Sequence, residues 1–229
     1  MLTETREEAT GVAAAAATGR GQRSLRLVLG LAAAILVGLA WRLPIWEARL
    51  TAPQYPAGLS LTASATGVTG DIREVNELNH YVGMQAFETS DAPEMALWTP
   101  VIALALVGVA FAAARPDHLM GRAAKLGLWL IPIGALGDVQ YRLYQYGHGV
   151  QPDAPIRLDP FTPLVIGPTK VLNFTTWAYP GLAIWCLFLA ALLLTFGSST
   201  LSLIRERWRH RPVYVSDEEF ETLQREGRA

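Results

Sequence analysis

Residues 95–114 read MALWTPVIALALVGVAFAAA, twenty positions without one charged side chain. An α-helix needs about 20 mostly apolar residues to cross about 30 Å of hydrocarbon, so this stretch reads as a membrane span. Residues 175–196, TTWAYPGLAIWCLFLAALLLTF, extend the pattern over 22 uncharged positions. Two further runs, Leu25–Trp46 and Leu126–Tyr144, are equally long but carry ionisable residues. Charged residues make up only 17% of the chain, against about 25% in ordinary soluble domains. The expected fold class is therefore an all-α membrane protein. Its four transmembrane helices lie at about 25–46, 95–114, 125–145 and 175–197 and carry a small extracytoplasmic cap.

Charge orients this layout. With the N-terminus inside, thirteen of the nineteen Lys and Arg fall on one side, including Arg20, Arg23, Arg26, Arg115, Arg122, Lys125 and Arg205–Arg211. The positive-inside rule then places both termini in the cytoplasm, with a multi-pass chain between them. Residues 1–24 are polar and Ala-rich, and Glu4, Glu7 and Glu8 suit neither a secretory leader nor a packed core; they read as a disordered cytoplasmic arm. Residues 198–229 form a cytoplasmic tail, basic at the membrane and acidic beyond, with Ser216 and Glu219 spaced as a capping box. The outer segments are 47–94 and 146–174. In the first, Leu59, Leu61, Ala63 and Ala65 alternate with Ser60, Thr62, Ser64 and Thr66, which predicts one strand. Asp71 with Glu74 reads as a helix cap, and Ile72, Val75, Leu78 and Val82 predict an amphipathic helix through about Met84. The second, with Pro152, Pro155, Pro160, Pro163 and Pro168, reads as a non-helical loop packed on the first.

Two groups of residues carry chemistry. On the outer helix, Asn76, His80 and Met84 are spaced four apart and share one face. Imidazole and thioether suit copper, and methionine sulfur selects Cu(I) over hard cations. His148 is a third candidate ligand if the outer segments touch. In the third span, Asp138 lies thirteen residues beyond Lys125, about 20 Å up the helix and inside the outer leaflet. Arg142 follows one turn later and Tyr141 stands beside it. An intramembrane carboxylate is a functional candidate by default, although an ion pair that only locks helix packing is the plainer reading. No span has a histidine in its apolar middle, so a haem inside the bundle is disfavoured; His80 with His148 is the pair left for one at the outer surface. Cys186, alone among apolar neighbours, reads as packing. No nucleic-acid module, P-loop or zinc motif is present.

Several outer-face stretches carry a resemblance. They are Ala52–Pro56 (APQYP), Gly70–Asn76 (GDIREVN), Leu78–Met84 (LNHYVGM), Asp159–Pro163 (DPFTP), Asn173–Thr176 (NFTT) and Tyr179–Gly181 (YPG). Together they resemble an uncharacterised family of small bacterial multi-span membrane proteins associated with nitrous oxide reductase maturation and copper delivery. The similarity covers about Leu43–Gly181. It implies a copper-related, non-enzymatic accessory role toward a periplasmic metalloenzyme, and it brings no established ligand residues with it.

Three functions are thus expected, in order. The first is a copper-handling accessory protein using His80, Met84 and His148. The second is a quinol- or haem-linked electron-transfer subunit, with Asp138, Tyr141 and Arg142 lining a polar pocket beside other membrane subunits. The third is a ligand-free scaffold whose cap binds a partner through Tyr55, Tyr81, Phe161 and Trp177.

Overall fold

The computed structural model describes residues 2–87, 95–151, 154–156 and 159–209, with side chains described within 21–87, 96–151, 154–156 and 159–197. In chain order the elements are α1 (Leu2–Ala40), β1 (Trp46–Ala52), β2 (Tyr55–Ser64), β3 (Gly67–Gly70), α2 (Ile72–Val82), α3 (Met95–Ala114), α4 (Leu119–His148), β4 (Gly167–Val171), β5 (Phe174–Pro180) and α5 (Leu182–Arg209). The fold is mixed α/β. The all-α expectation is overturned by a five-stranded antiparallel sheet in the order β3-β2-β1-β5-β4.

The error has a physical source. Thr175–Tyr179 is uncharged, so length and hydropathy alone absorb it into a span. Its β-branched and aromatic residues nevertheless favour a pleated strand, and it pairs with β1 from Thr51↔Thr175 to Trp46↔Pro180. Trp46, expected at the end of the first span, opens β1; α1 ends at Ala40. The second outer segment is likewise no simple loop. α4 runs on to His148, and β4 forms an edge strand, the place in a sheet where a proline such as Pro168 is tolerated. The expected contact between the outer segments does form: Gln151 N–H donates to the Gly83 carbonyl at 2.8 Å and Ile156 N–H to that of Tyr81 at 3.0 Å. The alternation read in β2 also holds, with Leu59, Leu61 and Ala63 buried.

α2 forms where the apolar spacing places it, but Asp71 does not cap it. Its Oδ2 instead accepts from the Ser60 backbone N–H at 2.7 Å and the Ser60 hydroxyl at 3.0 Å, tying the helix start to β2. Those two bonds hold the Asp71 carboxyl below the usual carboxylate range. α2 stops at Gly83, in the left-handed conformation (φ 74°) that glycine adopts without a Cβ clash. α1 is continuous from Leu2, through the stretch that composition reads as disordered. The Ser216–Glu219 capping box lies outside the described residues.

Among the described residues, three helices are long and apolar enough to cross a membrane: Gly21–Ala40, Ala96–Ala114 and Leu119–His148. In α5 the apolar part, Leu182–Gly197, is shorter, about 24 Å at 1.5 Å per residue. The four long helices pack through small residues, as membrane helices do where hydrocarbon supplies no hydrophobic drive between them. Ala33, Val37 and Ala40 of α1 meet Ala183, Leu187, Ala190 and Ala191 of α5, while α3 contributes Trp98, Ile102, Ala105, Val109 and Ala112. At Gly30 a Cβ would stand 2.5 Å from that of Ala113, so α1 and α3 approach at that glycine. Leu31, Ile35, Leu104, Val107, Leu130, Ile133, Leu189 and Leu192 face outward. An apolar surface of that extent suits lipid rather than water.

The sheet covers one end of the bundle. α1 leads into β1 and β5 leads into α5 side by side: Gly181 N–H donates to the Ile45 carbonyl at 2.9 Å and Ala183 N–H to that of Pro44 at 2.8 Å. A Cβ on Gly181 would collide with the Pro44 carbonyl, so glycine is required at this joint. The cap has its own core of Trp46, Ala48, Leu59, Leu61, Val75 and Ala178, joined by Leu143 of α4.

Candidate functional site

Between the cap and the bundle lies a cavity of about 440 Å³, walled by α3 and α4 and covered by Trp46, Ala63 and Phe87. That volume falls within the range of small-molecule sites. Its walls are apolar except at one place. Asp138, Arg142 and Tyr146 line it at successive four-residue intervals, and that spacing stacks them on one face of α4. Each of the three already holds an interaction within the protein. Leu97 and Leu130 also line the cavity while remaining 61% and 55% exposed on the lipid-facing surface. The cavity therefore opens sideways toward hydrocarbon between α3 and α4.

The cover is fixed by side-chain amides and an indole. Gln140 on α4 donates through Nε2 to the Pro163 carbonyl and accepts through Oε1 from Val165 N–H, both at 2.9 Å. Trp46 Nε1–H donates to the Val165 carbonyl at 2.8 Å. Phe87 is placed by Asn76, whose amide accepts from the Phe87 N–H at 2.7 Å and donates to its carbonyl at 3.1 Å. The Phe87 ring then meets that of Tyr146, with centroids 4.5 Å apart and planes tilted by 48°. Beyond this ring pair a second cavity of about 110 Å³ continues into the cap and shares Trp46, Phe87, Leu143 and Tyr146 with the first.

Against this geometry the expected site residues divide. Asp138 and Arg142 do share a pocket at the cap-side end of α4. Tyr141 does not join them: it is 58% exposed and lies outside the lining, and Tyr146 takes the place expected of it. Tyr146 lies one turn beyond Arg142 and shares its face, whereas Tyr141, its immediate neighbour, is turned about 100° away from it. His80 and Met84 do not form a helix-face pair, because α2 ends at Val82 and Gly83 turns the chain. His80 is exposed, while Met84 lines the inner cap cavity. His148 stacks on Tyr144 with centroids 3.9 Å apart and lies 3.0 Å from its carbonyl through Nδ1. Among the described residues, no three His, Cys, Asp or Glu side chains come together as a metal-binding group. Asn76, expected beside copper, is instead a backbone clamp. Of the candidate partner anchors, Tyr81 and Trp177 are more than half exposed, while Tyr55 and Phe161 are half-buried.

Fold and cavity together define a class: a membrane helix bundle capped by a β-sheet, with a polar-tipped apolar pocket at the junction. No protein-family model matches the chain, and no curated protein is significantly similar to it.

Proposed function

We propose that the chain binds a quinone-class amphiphile at the outer leaflet of the bacterial inner membrane, as a subunit or accessory of an electron-transfer assembly. The observation that supports this reading is the cavity: apolar walls, a side opening toward lipid, and Asp138, Arg142 and Tyr146 grouped on one helix face. A quinone head has two oxygens that accept hydrogen bonds, and its reduced form presents hydroxyls that donate them. Arg142 and the Tyr146 hydroxyl are donors, and the Asp138 carboxylate is an acceptor able to hold a proton at that spot. In this reading the cap faces outward, and the Arg115–Lys125 turn and both termini are cytoplasmic, as the Lys and Arg distribution favours. Copper handling rests on the family resemblance and on His80 and Met84 sharing a helix face, which the turn at Gly83 removes, so the pocket-bound amphiphile is the reading that geometry favours.

Solvent extraction of the protein purified in mild detergent, followed by chromatographic quinone analysis, tests it. Quinone should accompany the wild type and fall at least fivefold in Asp138→Asn and Arg142→Gln, with Tyr141→Phe unchanged. Equal quinone in all four proteins, or none in the wild type, refutes the proposal.

A further inference from the structure

At the end of the bundle opposite the cap, a separate notch of about 200 Å³ is formed where all four long helices and the α3–α4 turn converge. Arg26 of α1 and Lys125 of α4 line it together with Asp117 of the turn. Both cations are half-buried, whereas their neighbours Arg23, Arg115 and Arg122 are exposed. Among the described residues, Lys125 Nζ has one long contact, 3.5 Å to the Pro116 carbonyl. Asp117 is the single acid in the lining among the described residues, so two positive charges face one negative charge across a small concavity. Leu29 and Leu193 form apolar parts of its rim.

Cations that serve only to mark the membrane boundary gain most from full hydration, because desolvating an unpaired charge is costly. Two of them held half-buried around one concavity, with net charge +1 and apolar edges, match a compact anion attached to hydrocarbon. Arginine's planar fork binds phosphate oxygens in pairs, and lysine adds a point charge. Basic pockets between transmembrane helices hold anionic lipid headgroups for these reasons. We propose that the Arg26–Lys125 notch is a binding site for a phosphate group, that of an anionic phospholipid. Along α4 it lies thirteen residues, about 20 Å, from Asp138, so it is distinct from the cap-side cavity and does not depend on that cavity's ligand.

Native mass spectrometry of the full chain in detergent, titrated with phosphatidylglycerol and with phosphatidylcholine, tests the site. The wild type should prefer phosphatidylglycerol at least tenfold. Arg26→Gln with Lys125→Gln should abolish most of that preference. Arg23→Gln with Arg122→Gln removes the same charge outside the notch and should change it less than twofold. Asp117→Asn should strengthen binding severalfold, which keeps the proposal testable should the double notch variant fail to fold. Lipid that survives 10 mM inorganic phosphate assigns the phospholipid as source; displacement by phosphate alone assigns the free ion to the same site. Equal losses in the two double variants, or no gain in Asp117→Asn, would mean diffuse surface attraction and overturn the notch.

Discussion

Two glycines three residues apart on α4 give a matched perturbation. At both Gly134 and Gly137 a Cβ would meet no atom within 4 Å, so either position accepts a larger side chain without collision. Only Gly134 lines the cap-side cavity. Replacing glycine in a helix interior by leucine is favourable by about 0.8 kcal/mol on propensity alone. Gly134→Leu and Gly137→Leu should therefore be equally folded and slightly stabilised. In the cavity, however, the leucine occupies space that a ligand would fill. It removes on the order of 100 Å² of apolar ligand contact, about 2.5 kcal/mol at ~25 cal/mol per Å², or roughly 70-fold in affinity. Trp46 and Trp98 both line the cavity, so quenching of their fluorescence by decylubiquinone reports occupancy. The wild type and Gly137→Leu should titrate alike, and Gly134→Leu should require roughly 70-fold more ligand. Parallel losses in both variants, or in neither, would refute the assignment of the binding space.

Other consequences follow from the cap. Asp71 has a lowered pKa in the folded state, so its contribution to stability is present above the unfolded carboxylate pKa and is lost as pH falls through the folded value. Near-ultraviolet circular dichroism should show Asp71→Asn less stable than wild type at pH 7, with the difference shrinking in acid. Gly70 stands at φ 111°, and a Cβ there would strike the Ser60 carbonyl; Gly70→Ala should cost about 3 kcal/mol through strain and overpacking, seen as faster proteolysis within β2–β3. Gln140→Leu deletes both amide bonds to the cavity's cover, about 2 kcal/mol, and should speed hydrogen exchange at Val165 while leaving β1–β5 protected.

What the sequence made legible follows from its periodicities. The charge-free run at 95–114 marked a helix of membrane-spanning length, the apolar spacing from Ile72 to Val82 marked a helix, and the alternation at Leu59–Ala63 marked a strand. β5 was hidden because Thr175–Tyr179 abuts an apolar helix without an intervening charge; Pro180–Gly181 was the only punctuation. β1 was hidden in a similar way, since Trp46-Glu47-Ala48-Arg49-Leu50 alternates but begins where a span seemed to end. Its pairing with β5 joins segments about 130 residues apart in sequence, which no local pattern encodes. Asp138 and Arg142 were visible as charges inside an apolar run. The part played by Tyr146 was not, because it depends on where α4 ends and on Phe87, which Asn76 holds over the cavity.

The most direct test of the cap-side cavity is photo-crosslinking with an azido-quinone in native membranes, with adducts mapped by peptide mass spectrometry. Adducts concentrated at Trp46, Phe87, Trp98 and residues 138–146 are the expected result, displaced by excess unmodified quinone. Labelling spread along lipid-facing positions such as Leu104, Val107 and Leu126, and indifferent to competitor, would contradict it.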